Sequence, residues 1–383
     1  MACRILSTMV CADYGNTLGC SLSISSDGCV YSFGRNTKEG HGHIEDFVFP
    51  PKVIPSLKNI TQVSCGFYHS GCVDMDGNVF TFGRNALGQL GVGKYSEELI
   101  QTHIPQKLNL PPIKQIACGT HFTMCLSVSG DVFSFGYNNH GQLGHGDDID
   151  YNSPKQIELL QDIEFIECGH DYAACKSIDN RIYVWGYNNF GQLGIGNKVN
   201  QRKPFQCVDW PEDIVDIKYG YNHSLILTLH QDVYSCGNHI NGQLGREIVG
   251  DYATTLEKIS SLSHILRIEC GYSHSMCIDI DNNFYIFGKN NHGQLGFGDT
   301  VAKSKIVKHP ILSNIIDISS KGGLHSFVKT SNNEIYAFGY NEYSLLGIKK
   351  EYFNQLTPIR VFEDNEDIWF SNINKSKAKS ARF

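Results

Sequence analysis

Two sets of residues in this chain have types and spacings that could do chemistry. The first is a glycine-rich decapeptide, FGxNxxGQLG, which has the look of a phosphate-cradling loop. It stands at residues 82–91 (FGRNALGQLG), 135–144 (FGYNNHGQLG), 185–194 (WGYNNFGQLG), 236–245 (CGNHINGQLG) and 287–296 (FGKNNHGQLG), with weaker copies at 33–42 (FGRNTKEGHG) and 338–347 (FGYNEYSLLG). A phosphate loop is a single glycine turn that opens a helix. Here the first glycines fall at 34, 83, 136, 186, 237, 288 and 339, each after an apolar segment. Seven copies at so regular a period are structural turns of a repeat protein. The second set is a histidine in a Gly-x-x-His slot, at His69, His223, His274 and His325, replaced by Phe122 and Tyr172 in two repeats. Interchange with aromatic rings marks a packing and hydrogen-bonding position. The functional alternative is that His69, His274 and His325 line one rim and touch a partner.

Other chemistry is missing from the pattern. There is no G-x-S-x-G elbow or other nucleophile–base constellation, and no HExxH or CxxC spacing that would hold a metal. The expectation is a non-enzyme with no cofactor and no metal. Fourteen cysteines are present, but Cys65/Cys72, Cys118/Cys125, Cys168/Cys175 and Cys270/Cys277 recur at one offset, and Tyr219/Ile226 fill it elsewhere. These are buried thiols acting as small hydrophobes, without disulfides, in a reducing compartment, nuclear or cytoplasmic. The net charge of −7 argues against a body built to bind nucleic acid. No apolar run reaches membrane-spanning length.

The elements that must carry these residues are short strands. Each repeat has an extended piece, often opened by proline, as at Pro51, Pro105, Pro154 and Pro204, then an alternating run ending in Cys-Gly or its equivalent. A third piece runs to a turn pair such as Asp76-Gly77, Ser129-Gly130 or Asp281-Asn282, residues that tolerate positive φ. A fourth, apolar at nearly every position, enters the decapeptide, so both its faces are buried. Sheets of four antiparallel strands stacked round an axis supply that environment: the prediction is an all-β, seven-bladed β-propeller over residues 1–362. Leu90, Leu143, Leu193, Leu244 and Leu295 should pack between blades. The first repeat has no proline-type opening piece, and residues 357–361 (TPIRV) follow the last decapeptide. Residues 358–361 are therefore expected to pair with the first repeat's strands and close the ring.

Beyond residue 362 the chain turns polar. Glu363, Asp364, Glu366 and Asp367 precede Lys375, Lys377, Lys379 and Arg382. This tail, 363–383, is expected to be mobile, and its basic residues offer a weak chromatin contact.

The decapeptide, with Cys-Gly-x-x-His-Ser about seventeen residues before its first glycine, resembles the regulator of chromosome condensation family over about residues 5–361. Repeated Trp-Asp or glycine doublets, the marks of WD and kelch propellers, are absent. The resemblance implies a seven-bladed propeller. Its founding member is an exchange factor for the small GTPase Ran that also docks on nucleosomes; other members are binding modules, ubiquitin-ligase domains or a light sensor. The light sensor depends on clustered tryptophans, and this chain has only Trp185, Trp210 and Trp369.

The exchange factor sets acids in the Gly-x-x-His region of its third and fourth repeats, facing the GTPase. Here the fourth repeat carries Asp171, while the third reads Gly119-Thr-His-Phe122 and has none. The exchange factor's wedge after the third decapeptide corresponds to residues 145–152 (HGDDIDYN), bearing Asp147, Asp148 and Asp150, and not visibly lengthened. A Ran-type GTPase contact through Asp171, these acids and the slot histidines is one expectation. A non-catalytic interaction platform, or a chromatin-docking protein, is the alternative.

Overall fold

The computed structural model describes residues 9–10, 20–25, 27–35, 47–93, 101–348 and 353–361. Within them the chain forms seven four-stranded antiparallel sheets arranged as the blades of a propeller. In blade 2 the strands are Ile60–Cys65, His69–Asp74, Val79–Arg84 and Gln101–Lys107, paired in sequence order. The first two strands are buried almost throughout, and the fourth carries exposed and half-buried residues, as in blade 4 with Gln201–Gln206. Strands buried on both sides need not alternate, which is why the segments entering the decapeptide are apolar throughout.

Each blade face packs on the next. Seven apolar clusters occupy the seven seams, each joining residues of two neighbouring blades. The decapeptide leucines Leu90, Leu143, Leu193, Leu244 and Leu295 are fully buried, as their spacing predicted. The decapeptide itself is a turn held by its own side chains. Asn138 Oδ1 accepts from Leu143 N (2.9 Å) and Gln142 Oε1 accepts from His140 N (2.9 Å); the glutamine bond recurs in the other full copies, and the asparagine bond in all of them except the copy with His239 at that position. Its first glycine is obligatory for a steric reason. At Gly136, φ is +111° and a Cβ would lie 2.4 Å from the His121 carbonyl oxygen.

Closure differs from the expected strand exchange. Residues 358–361 lie in the strand Asn354–Val361, which pairs with Ile335–Tyr340 of blade 7, not with the first repeat. Blade 1 is made of its own strands, Met9–Val10, Cys20–Ile24, Val30–Arg35 and Phe47–Val53. The proline-marked piece is thus the fourth strand of the repeat before it, so every blade is a continuous stretch of chain. With that phase nothing is lacking at one end or surplus at the other. The ring is sealed by packing: Phe33 of blade 1 enters a cluster with Phe327, Ile335, Ala337, Leu346 and Val361. The Ser21 hydroxyl also donates to the Leu345 carbonyl (2.9 Å).

Candidate partner-binding face

The chain order gives the propeller two unlike ends. One, the loop face, carries the Gly-x-x-His connections and the decapeptides. The other, the turn face, carries the three-residue hairpin turns and the crossings from one blade to the next.

The slot histidines begin on the loop face but point inward. His69, His223, His274 and His325 are at most 1% exposed. Their rings cross the seams: Nε2 lies 2.8 Å from Thr123 Oγ1 for His69, 3.0 Å from Ser275 Oγ for His223 and 2.8 Å from Ser326 Oγ for His274. Those hydroxyls donate to the carbonyls of Gln89 (2.9 Å), Gln243 (2.7 Å) and Gln294 (2.8 Å). A hydroxyl has one proton, so the imidazole Nε2–H must be the donor toward it. Burial lowers the pKa of His223, His274 and His325 to about 3, which keeps them neutral. The rim role expected for His69, His274 and His325 is therefore corrected: all three side chains are buried and offer no surface to a partner, and those of His69 and His274 join neighbouring blades. Where the slot holds Phe122, the next blade has Ala173 in place of the hydroxyl; Tyr172 instead donates to the carbonyls of Gly220 (3.0 Å) and His223 (2.8 Å).

The acidic loop is likewise largely occupied with its own fold. Asp147 Oδ1 accepts from Asn138 Nδ2 (3.0 Å) and Asp147 Oδ2 from the Tyr151 hydroxyl (2.9 Å). Asp150 Oδ1 accepts from Asn138 N (2.8 Å), and burial raises its pKa. Asp148 is exposed and receives Arg202 of the next blade through Nε (2.5 Å) and Nη2 (2.7 Å). Asp299 and Asn197 hold Asn290 and Asn188 in the same manner as Asp147 holds Asn138, so this is a repeated turn device.

Asp171 has a different setting. It is 6% exposed, with Oδ2 2.8 Å from His170 Nδ1 and Oδ1 accepting from Gln142 Nε2 of the neighbouring blade (3.1 Å). Burial alone would raise its pKa, but His170, then His140 and His121, outweigh it and hold the carboxyl below the usual range. The acid stays ionised inside a ring of imidazoles. Burial holds His121 itself down to about 4.

Around Asp171 runs a band of half-buried rings that the sequence reading missed. Phe67, Tyr68, His121, Tyr137, His140, Tyr187, Phe190 and Tyr252 follow one another across blades 2 to 5, with centroids 4.7 to 6.3 Å apart. Arg84 lies over Tyr68 and Lys198 over Tyr252, at the two ends. Apart from Tyr252, which opens the fourth strand of blade 5, the rings come from the variable third and sixth decapeptide positions and from the residues between Gly and His. Positions that vary from copy to copy give no periodic signal; listing them as aromatic in neighbouring repeats would have revealed the band.

A second missed feature fills the axis. Glu167 of blade 4 pairs with Lys321 of blade 7 and with Lys218 of blade 5 (3.8 Å), and Lys218 with Asp216 (3.5 Å). Burial drives the Glu269 carboxyl up to about 7 despite Lys218 and Lys321. The network spans four blades and opens toward a central cavity whose lining includes Cys65, Gly119, His170, Tyr221 and Tyr272. No group of three or more metal-ligating side chains converges among the described residues, and the eleven cysteines whose side chains are described are free.

A family model for the regulator of chromosome condensation (RCC1) repeat matches residues 27–73, 76–126, 129–175, 179–227 and 231–278, well over half of the chain. The chain belongs to this family. Among curated relatives, the ultraviolet-B receptor UVR8 of Arabidopsis thaliana is 30% identical over 351 residues, covering 89% of this chain and 67% of UVR8. The probable E3 ubiquitin-protein ligase HERC3 of Homo sapiens is 31% identical over 260 residues, 67% of this chain and 20% of HERC3. The protein RCC2 homolog of Danio rerio is 30% identical, covering 73% of this chain and 53% of its own length. The chain thus spans about half or less of the RCC2 and HERC3 relatives. Prp20p of Saccharomyces cerevisiae, solved with attention to its binding of Gsp1p and histones, superposes with a TM-score of 0.76 at 21% identity, over 89% of this chain and 87% of that one. Human WBSCR16 gives 0.77 at 16% identity, over 88% and 95%. At these identities the solved structures support the shared fold. The family is one of protein-interacting propellers, and no helix among the described residues is long and apolar enough to cross a membrane.

Proposed function

We propose that the loop face of this propeller binds a small GTPase of the Ran type and speeds nucleotide release by preferring the nucleotide-free form. A protein that binds one state of its partner more tightly shifts that partner toward it, with about 1.4 kcal/mol for each tenfold difference. No covalent step is required. The observation that carries the reading is Asp171, an ionised carboxylate held between His170 and Gln142 in the middle of the ring band. Such a group, with rings on both sides, suits a cationic or hydrogen-bonding side chain of a protein partner. Prp20p, a structural neighbour, is described as binding Gsp1p, which agrees with this assignment. The expected setting is nucleus or cytoplasm, in keeping with the free thiols.

Two observations favour a second reading, a platform without exchange activity: the third repeat presents His121 rather than an acid, and the 145–152 loop is closed on itself by Asp147 and Asp150. The chromatin contact through Lys375, Lys377, Lys379 and Arg382 falls outside the described residues.

The test is release of a fluorescent guanine nucleotide from purified Ran. Acceleration by this chain, lowered about tenfold or more by Asp171→Ala, is the expected result. Acceleration that survives the substitution removes Asp171; no acceleration at micromolar protein leaves the platform.

A further inference from the structure

The turn face carries a regular set of exposed aliphatic side chains that no part of the loop-face reading uses. The residue that ends the second strand's run into the hairpin turn is Met75, Val128, Ile178, Leu229 and Ile280 in blades 2 to 6, between 55% and 74% exposed. A lone exposed aliphatic residue needs no explanation. Five at one structural position, on one end of the molecule, form a pattern.

The tips are held still. Val128 N donates to the Pro112 carbonyl (2.9 Å), Ile178 N to Asp162 (2.9 Å) and Leu229 N to Asp213 (2.8 Å). The turns are also bonded onward, since Ile163 N of blade 4 donates to the Gly130 carbonyl of blade 3 (3.1 Å). A surface already fixed in place binds without the cost of ordering it.

Charge tells which partner fits. Between the tips of blades 3, 4 and 5 the crossing loops add the exposed apolar Leu159 and Val208. The same loops bring the carboxylates Glu158, Asp162, Asp209 and Glu212, which are exposed and make no ion pair among the described residues. Glu164, Asp179, Asp213 and Asp232 face the same end, paired with Lys176, Arg181, His230 and Lys258. The loop face also has aliphatic tips, Ile149, Val199 and Val301, but they alternate with Lys198, Arg202 and Lys303. Blade 5 of the loop face also sets the exposed Ile240 and Val249 beside Glu247 and Asp251, but among the described residues only the turn face repeats apolar tips with unpaired acid at two successive blade crossings.

We propose that the turn face of blades 3 to 5 is a second docking surface, and that it takes a basic amphipathic segment of a partner protein. Adjacent sheets lie roughly 10 Å apart, so the stretch from Val128 to Leu229 is about 20 Å, or roughly four turns of a helix. Aliphatic residues on one face of that helix would seat between Val128, Ile178 and Leu229, and its lysines would meet Glu158, Asp162, Asp209 and Glu212. This inference does not rest on the GTPase reading, which concerns the opposite end.

The test uses the full chain and a rhodamine-labelled peptide of about eighteen lysines and leucines, with leucine at i, i+3, i+4 and i+7. Its control is the same composition in an order without an apolar face. Anisotropy should show the amphipathic peptide binding at least about tenfold more tightly than the control. The pair Ile178→Ser and Leu229→Ser should raise Kd about tenfold or more, while Val199→Ser on the loop face should leave it within about twofold. All three positions are exposed, so an unchanged thermal unfolding curve should accompany each variant. Equal binding of the two peptides, equal effects of the two faces, or no binding overturns the proposal. Binding that appears only after removal of residues 362–383 overturns it too, giving the face to the chain's own terminal segment.

Discussion

Replacing His274 by phenylalanine should weaken the fold at alkaline pH and strengthen it in acid. Phenylalanine already fills this slot as Phe122, buried and followed by Ala173 in the next blade. In His274→Phe the ring volume is kept and the bond to Ser326 Oγ is lost, while that hydroxyl keeps its bond to the Gln294 carbonyl. The loss at about pH 8 should be near 1 kcal/mol. The acid side follows from the histidine's pKa of about 3 in the fold, lowered by burial from 6.5. The unfolded chain takes up a proton as pH falls through 6.5 and the folded chain does not, so stability is full above 6.5 and drains away toward 3. Between 6.5 and about 5 this one group costs roughly 2 kcal/mol. Phenylalanine has no proton to take, so that cost disappears. The variant should be about 1 kcal/mol less stable at about pH 8 and about 1 kcal/mol more stable at about pH 5. Urea midpoints followed by tryptophan fluorescence at both pH values would show the curves crossing. The same deficit at both would mean that His274 titrates as it does in solvent, and the buried seam assignment would be wrong. Pairing the change with Ser326→Ala, which copies Phe122 and Ala173, should recover part of the alkaline loss.

Three further outcomes follow from the same geometry. Gly288→Ala, at φ +108° with a Cβ 2.6 Å from the Ser273 carbonyl, should cost about 2 kcal/mol or more, read from thermal unfolding. Lys321→Met should cost about 2 kcal/mol or more by leaving Glu167 in the axis with only its longer contact to Lys218, and Glu167→Gln placed with it should return part of that loss in a double-mutant cycle. Burial raises the Cys118 thiol to about 11, Cys236 to about 12 and Cys207 further still, so iodoacetamide in native buffer should label Cys29 first among the cysteines whose side chains are described, with the rest reacting in urea.

The sequence was most legible where a residue does the same job seven times. Gly136 and its counterparts at 34, 83, 186, 237, 288 and 339 recur because each holds the same positive-φ turn, and counting them gives the blade number. Where one strand begins and the next repeat starts is not fixed by periodicity, since any cut through a repeating string gives the same period. The piece opened by Pro154 was therefore assigned to the wrong neighbour, and with it the manner of closure. The histidine slot was read correctly as a packing position and wrongly as a rim: a ring near a loop can turn to either side, and only the hydroxyl across the seam, fifty residues on, decides. Asp171 was found by its place in the motif, whereas its partner Gln142 looked like every other decapeptide glutamine. Glu167 and Lys321 are 154 residues apart and meet only because the ring is round.

That each sheet is one unbroken length of chain bears on how the protein is made. A growing polypeptide can finish every sheet as soon as its fourth strand has left the ribosome, without keeping an unpaired strand waiting for a partner synthesised last. The step left once the seventh sheet is made is the meeting of Phe33 with the group around Phe327 and Leu346, an apolar contact between two already finished surfaces.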